Sequence, residues 1–237
     1  MIKFPVYEKY LLIYGHNSKR KESAYEEGGM GIYMRIPEHI GVIPDGNRRW
    51  ASKSELQKEE GYVHGLNPGL RLLKEAEKLG IKEITYYGFT VDNCRRPGKQ
   101  VEAFQKACVD AVKLIEKENV DLHVIGNTRS KFFPKELLPY TKREVNQNRA
   151  AVRVNFLVNY GWEWDMKEGL NKLHSKSISR IDMIIRWGGM RRLSGFLPIQ
   201  SVYADFYVVE EMWPDFTEQQ FEKAIMWYQK QDVTLGG

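Results

Sequence analysis

The chain has 237 residues, 42% of them hydrophobic, and a net charge of +5. That length fits one α/β domain around a single large core; the charge suits an anionic partner without naming one. No apolar run approaches the roughly 20 residues needed to span a bilayer, and two cysteines, Cys94 and Cys108, give neither a disulfide framework nor metal-ligand spacing.

With no signal-peptide pattern either, the expectation is a soluble protein of the reducing cytoplasm, in contact with membranes at most peripherally. Residues 1–37 read as an extension. Within it, 1–13 are patterned as a short amphipathic helix with Tyr7, Leu11 and Tyr14 near one face, and 15–31 as a polar, glycine-bearing loop. Residues 38–237 read as the domain proper. HIGVI (39–43) is expected to be a buried strand, 61–79 a helix interrupted by Pro68 and Gly69, and EITYYGFT (83–90) a strand. Val101, Phe104, Cys108, Val112 and Ile115 recur at helical spacing and predict a helix over 98–118. Strands follow at DLHVIG (121–126), VRVNFLVNY (152–160), IDMIIRW (181–187) and DFYVV (205–209), with helices at 134–148 and 164–176. Thr217 opens T-E-Q-Q, a capping box, with Phe216 and Phe221 placed as a hydrophobic staple. This alternation predicts a mostly parallel central sheet flanked by helices on both faces. Ligands bind such sheets beyond the carboxyl ends of the strands, which directs attention to 44–50, 90–97 and 186–194.

Three stretches there carry chemistry. IPDGNRRWA (43–51) packs a carboxylate, a glycine, an amide and two guanidinium groups into a strand-to-helix turn. Gly46 permits a tight backbone, the turn can offer N–H groups to a phosphate, and Asp45 can hold Mg²⁺ against that phosphate. An Asx-type turn with solvated arginines is the plain alternative. FTVDNCRRP (89–97) sets Arg95 and Arg96 beside Thr90 and Asn93, an anion clamp or an ordinary polar loop. IIRWGGMRRLSG (184–195) places Arg186, Arg191 and Arg192 around a Gly-Gly pair with Ser194 following. Guanidinium forks grip phosphate oxygens in pairs, and buried strand ends seldom carry three arginines without an anion to satisfy them. His123 is read as a core histidine, His16 and His174 as surface residues, His39 as locally hydrogen-bonded, and the W-E-W pair (162–164) as packing.

In this order, HIGVIPDGNRRWA (39–51), GFTVDNCRRP (88–97), NFLVNYGWEWD (155–165), IDMIIRWGGMRRLSGFLPIQ (181–200) and MWPDF (212–216) resemble the cis-prenyltransferase (undecaprenyl diphosphate synthase-like) family over nearly the whole chain. The resemblance implies a homodimer of α/β subunits, Mg²⁺, and two subsites, one for an allylic prenyl diphosphate and one for isopentenyl diphosphate. By match, Asp45 is the metal-binding carboxylate, helped by Asp205, and Asn47 and Asn93 join Asp45 at the reaction centre. Gly46, Arg48, Arg49, Trp50, Lys58, Tyr62, Thr90 and Arg96 fall at substrate-contacting positions, and Arg186, Arg192 and Ser194 at the isopentenyl-diphosphate clamp. The implied reaction is condensation of the two substrates with release of diphosphate.

The chain departs from the family's pattern mainly on the allylic side. K-E-E-G-Y (58–62) stands where Arg-x-x-Gly-His is usual: Lys58 keeps the charge without the fork, and Tyr62 replaces a histidine. Cys94 stands for a tryptophan, Trp187 for a hydroxyl residue, Met190 for Glu and Gly195 for Asn or Asp, and the tail reads T-L-G (234–236) where Arg-x-Gly is common. These departures favour a short or irregular product over undecaprenyl. The alternative is a diphosphate-binding subunit of a heteromeric enzyme, inactive alone. A nucleic-acid-binding module is disfavoured, because no recognition helix or aromatic binding face is evident.

Overall fold

A computed structural model describes residues 35–142 and 152–232. The expected helix and loop within 1–31, the end of the 134–148 helix and the T-L-G tail lie outside the described residues. Six strands form one sheet: β1 (His39–Ile43), β2 (Glu83–Tyr87), β3 (Val120–Ile125), β4 (Val152–Leu157), β5 (Met183–Arg186) and β6 (Asp205–Val208). Their order is β3-β4-β2-β1-β5-β6, and every pairing is parallel. The chain leaves β1 for β2 on one side and later reaches β5 on the other. A crevice therefore opens beyond the carboxyl end of β1, where such sheets bind ligands.

The helices are α1 (Asn47–Lys53), α2 (Gly61–His64), α3 (Leu66–Lys78), α4 (Gly98–Ile115), α5 (Trp162–Asp165) and α6 (Glu218–Tyr228). The expected 61–79 helix is divided into α2 and α3. Pro68 lacks the N–H that would bond the carbonyl of residue 64, so the helix restarts, with the proline in its first turn where no donor is needed. The long helices pack on one face of the sheet, where Leu72, Val112 and Phe221 meet Ile40, Ile84 and Val154. Thr217 and Gln220 cap α6 reciprocally, and Phe216 and Phe221 are both buried beside it, as the capping-box reading expected.

The other face carries a second core of Tyr87, Leu157, Tyr160, Ile184, Phe196 and Leu197. Its cover is mostly irregular. The expected 164–176 helix is replaced by α5 and a 3₁₀ turn at Leu170–Lys172. The cause is tertiary: buried Asp165 accepts from the Tyr160 hydroxyl (2.7 Å), the Ser175 N–H (2.9 Å) and the Ser175 hydroxyl (2.6 Å), folding the segment back on itself. The 134–148 segment likewise begins as a 3₁₀ turn, Lys135–Thr141, because Pro139 removes a helical donor.

A buried polar network closes the opposite, amino end of the sheet. His39 contacts the Thr85 hydroxyl (2.8 Å) and the Ser179 carbonyl (3.1 Å), not the local partners expected. Asn155 bridges Thr85 and Glu83. Burial holds the His39 pKa below its ordinary value, with the nearby Glu83 carboxylate opposing.

Candidate active site

Asp45 and Arg186 are 141 residues apart in sequence, yet the sheet makes them neighbours. Ile43 at the end of β1 pairs with Arg186 at the end of β5. Asp45 lies just past that register, and its Oδ2 accepts from Arg186 Nη2 at 2.9 Å. Arg49, one turn along α1, approaches the same oxygen at 3.6 Å. The turn between them requires glycine: Gly46 has φ +102°, and a Cβ there would lie 2.9 Å from Met212 Cβ. Its N–H donates to Asp45 Oδ1 at 2.6 Å, so that donor of the turn serves the aspartate itself.

Arg49 is aimed by the Gly188 carbonyl (2.8 Å), and a Cβ at Gly188 would sit 2.6 Å from the Arg49 guanidinium. Arg186 is almost fully buried. Its Nη1 donates to the Arg192 carbonyl and to Ser194 Oγ (2.9 Å), while its Nε has no partner. Buried, unpartnered donors are costly unless a ligand completes them; Arg48 Nε is in the same state.

On the other wall, Thr90 and Asn93 cap the 3₁₀ turn Val91–Arg95 reciprocally, Thr90 Oγ1 accepting from the Asn93 N–H and Asn93 Oδ1 from the Thr90 N–H (3.0 Å). The turn delivers Arg96, which donates to the Tyr62 hydroxyl at 2.8 Å. Tyr62 stacks on Phe104, with centroids 4.4 Å apart and planes 5° apart. Burial pushes the Tyr62 phenol pKa up, with Arg96 opposing, so it stays protonated at neutral pH and can donate its own proton to an anion.

These walls enclose a cleft of about 660 Å³. Asp45, Gly46, Asn47, Arg48, Arg49, Lys58, Tyr62, Thr90, Asn93, Arg96, Arg186, Arg192 and Ser194 all line it. Six cationic side chains face two carboxylates, Asp45 and Asp92, a balance that attracts a multiply charged anion.

Two expected residues are elsewhere. Trp50 does not line the cleft: its indole N–H donates to Asp215 (2.7 Å) and its ring packs on His64. Asp205 opens β6 opposite Met183, three residues back from Arg186 and so roughly 10 Å from the cleft end of the sheet. Its carboxylate pairs with Arg35 at 3.3 Å, and within this subunit it does not meet Asp45. Conversely, Ser52, Tyr87, Asp92 and Phe104 line the cleft and were not singled out from the sequence. Tyr87 fell inside the expected 83–90 strand, and only the observed end of β2 there places it at the ligand-binding edge, while Phe104 was read only as a core position of its helix.

Among the described residues, no group of three or more His, Cys, Asp or Glu side chains gathers to hold a metal. The donor set is instead one partly exposed aspartate among arginines, which fits Mg²⁺ held by a carboxylate together with phosphate oxygens.

Behind the cleft lies an apolar cavity of about 70 Å³, lined by Leu66, Ala107, Cys108, Ala111, Ile115, Phe156 and others. Pro44, Asn47, Tyr62, Gly88 and Phe104 line both spaces, so the Tyr62–Phe104 stack is part of the boundary between them. Burial pushes the Cys108 thiol up to about 12, leaving it an inert apolar group there.

A family model described as "Putative undecaprenyl diphosphate synthase" matches residues 43–236. A ditrans,polycis-undecaprenyl-diphosphate synthase ((2E,6E)-farnesyl-diphosphate specific) of Pasteurella multocida is 31% identical, covering 85% of this chain and 95% of its own. An isoprenyl transferase of Neisseria gonorrhoeae is also 31% identical, covering 86% and 91%. Among solved structures, lavandulyl diphosphate synthase from Lavandula x intermedia, in complex with dimethylallyl diphosphate, superposes with a TM-score of 0.73 over 85% of this chain and 98% of its own. At 23% identity, that likeness concerns the fold.

Proposed function

The chain belongs to the undecaprenyl diphosphate synthase family of prenyltransferases, and from that premise we propose that it joins a short allylic diphosphate to isopentenyl diphosphate or a similar acceptor, giving a short or irregular product. The observation that carries this reading is the pairing of a wide cationic cleft with a small, partitioned apolar cavity. A cavity of about 70 Å³ is roughly half the 150 Å³ that accepts a benzene ring. So small a space beside the Tyr62–Phe104 stack favours a short tail over a polyprenyl chain.

Chemically, the allylic C–O bond breaks and its electron pair leaves with the diphosphate. Arg49, Arg96 and Tyr62 hold that diphosphate, and their charge and hydrogen bonds stabilise it most as the bond breaks. Mg²⁺, held by Asp45 and diphosphate oxygens, would supply further Lewis-acid neutralisation of the leaving group. The Tyr62 and Phe104 rings offer π faces to the allylic cation and help to exclude water. Arg186, Arg192 and Ser194 present the second diphosphate, whose alkene supplies the electron pair of the new C–C bond; the adjacent C–H pair then forms the new double bond as its proton passes to an oxygen of the released diphosphate. Because the cleft gathers these groups within one chain, the active reading is favoured over that of a diphosphate-binding subunit.

The test is mass spectrometry of products formed with Mg²⁺, isopentenyl diphosphate and dimethylallyl, geranyl or farnesyl diphosphate. A preference for the five-carbon allylic substrate is expected; long polyprenyl products from the wild-type chain would overturn the short-product reading. Phe104→Ala removes half of that stack and should shift the kcat/KM ratio toward geranyl or farnesyl diphosphate by about tenfold or more. An unchanged ratio would show that the stack does not limit the tail.

We further assign a homodimer. The segment covering the second face exposes Trp162, Leu170, Val202 (64%) and Tyr203 (60%), apolar groups suited to a second copy. The wild-type chain should sediment as a dimer and Val202→Asp should weaken it; a monomeric wild type contradicts the assignment.

A further inference from the structure

We infer that Tyr87 is a positioning residue for the diphosphate clamp of the 186–194 stretch, holding Ser194 and Arg192 where they receive the isopentenyl-side diphosphate. This rests on the reading above that the clamp binds that substrate. Tyr87 is the last residue of β2; its buried ring packs near Tyr160 (6.3 Å) and Phe196 (5.2 Å) on the second face. Its hydroxyl reaches the cleft wall and donates to the Ser194 carbonyl at 2.8 Å.

The loop it meets is strained. Ser194 has φ +52° and Leu197 φ +33°, with Gly195 at +81° between them. Non-glycine residues persist in that region only where their surroundings over-determine them. Two side chains do so at Ser194. Arg186 bonds its Oγ and the Arg192 carbonyl, and Tyr87 bonds its carbonyl. Only Arg186 is also a clamp residue: its guanidinium already serves Asp45 as well as the loop, and an arriving diphosphate competes for the same N–H groups. Tyr87 offers a single neutral O–H, which an arriving diphosphate draws less strongly than it draws a guanidinium. Burial holds its phenol in the protonated, neutral form, so the pin persists as the ligand binds. Tyr87 thereby keeps Ser194 in place while Arg186 turns to the substrate.

Tyr87→Phe is the test. It keeps the ring, and because Ser194 is exposed, water takes over its carbonyl. Tm should therefore stay close to that of the wild type. By calorimetry, isopentenyl diphosphate should bind about three- to tenfold more weakly, as expected for one neutral hydrogen bond. Its KM should rise in proportion, with the allylic KM unchanged. Equal weakening of both diphosphates with a lowered Tm would reduce Tyr87 to a structural role, and unchanged binding of both would remove it altogether. A wild-type chain that binds isopentenyl diphosphate without turnover would overturn the enzymatic reading, while the calorimetric ratio still judged Tyr87. A wild-type chain that binds neither diphosphate would overturn both.

Discussion

Asp45→Asn should lower kcat by about 10²–10³-fold while leaving the fold intact. Asparagine keeps the shape of the side chain, and its Oδ1 can still accept from the Gly46 N–H. What disappears is the negative charge that faces Arg186 at 2.9 Å and Arg49 at 3.6 Å, together with the one carboxylate at the end of β1 able to share a cation with diphosphate oxygens. Freed from their counter-charge, the two guanidiniums should still bind diphosphates, so the loss is expected in kcat more than in KM. Steady-state diphosphate release, measured with each substrate saturating, separates the two. A variant with near-wild-type kcat would make Asp45 a local ion-pair partner and nothing more.

Arg186→Lys is the second large effect. Arginine here spends its fork on the Arg192 carbonyl, Ser194 and Asp45 at once, from a nearly buried position. Lysine keeps the charge as a single point and cannot span those directions. Losing even one charge-assisted contact should reduce kcat/KM by about 10–10²-fold. The KM for isopentenyl diphosphate should rise more than that for the allylic substrate, since the clamp borders Ser194 and Arg192. A larger rise in the allylic KM would place Arg186 on the allylic side instead, and equal changes would remove it from a one-sided clamp.

Much of this was legible in the residues themselves, for reasons that particular elements make plain. HIGVI was readable because a strand buried on both faces is continuously apolar, and it coincides with β1. The capping box at Thr217 was readable because its chemistry is local. The 164–176 segment was not, because Asp165 bonds Ser175 across a fold that no local pattern announces. The site shows the same division. Asp45 and Arg96 follow strand ends and Arg186 closes one, so the carboxyl-edge rule gathered them. Asp205 begins its strand, and that same rule, applied strictly, would have set it aside. Trp50 shares the 43–51 stretch, yet on α1 its indole is directed to Asp215, outside the cleft. Tyr62 was noted as a departure from pattern. Its partnership with Arg96 and Phe104 became visible only when α2, α4 and the 3₁₀ turn were brought together.

The central claim is that a cleft of arginines around Asp45 draws diphosphate away from an allylic carbon. The most direct measurement is diphosphate release by the purified chain given Mg²⁺, dimethylallyl diphosphate and isopentenyl diphosphate. Sustained release, abolished by chelation of the metal and by Asp45→Ala, is the expected result. No release with any allylic diphosphate, or release undiminished in the Asp45→Ala variant, would contradict it.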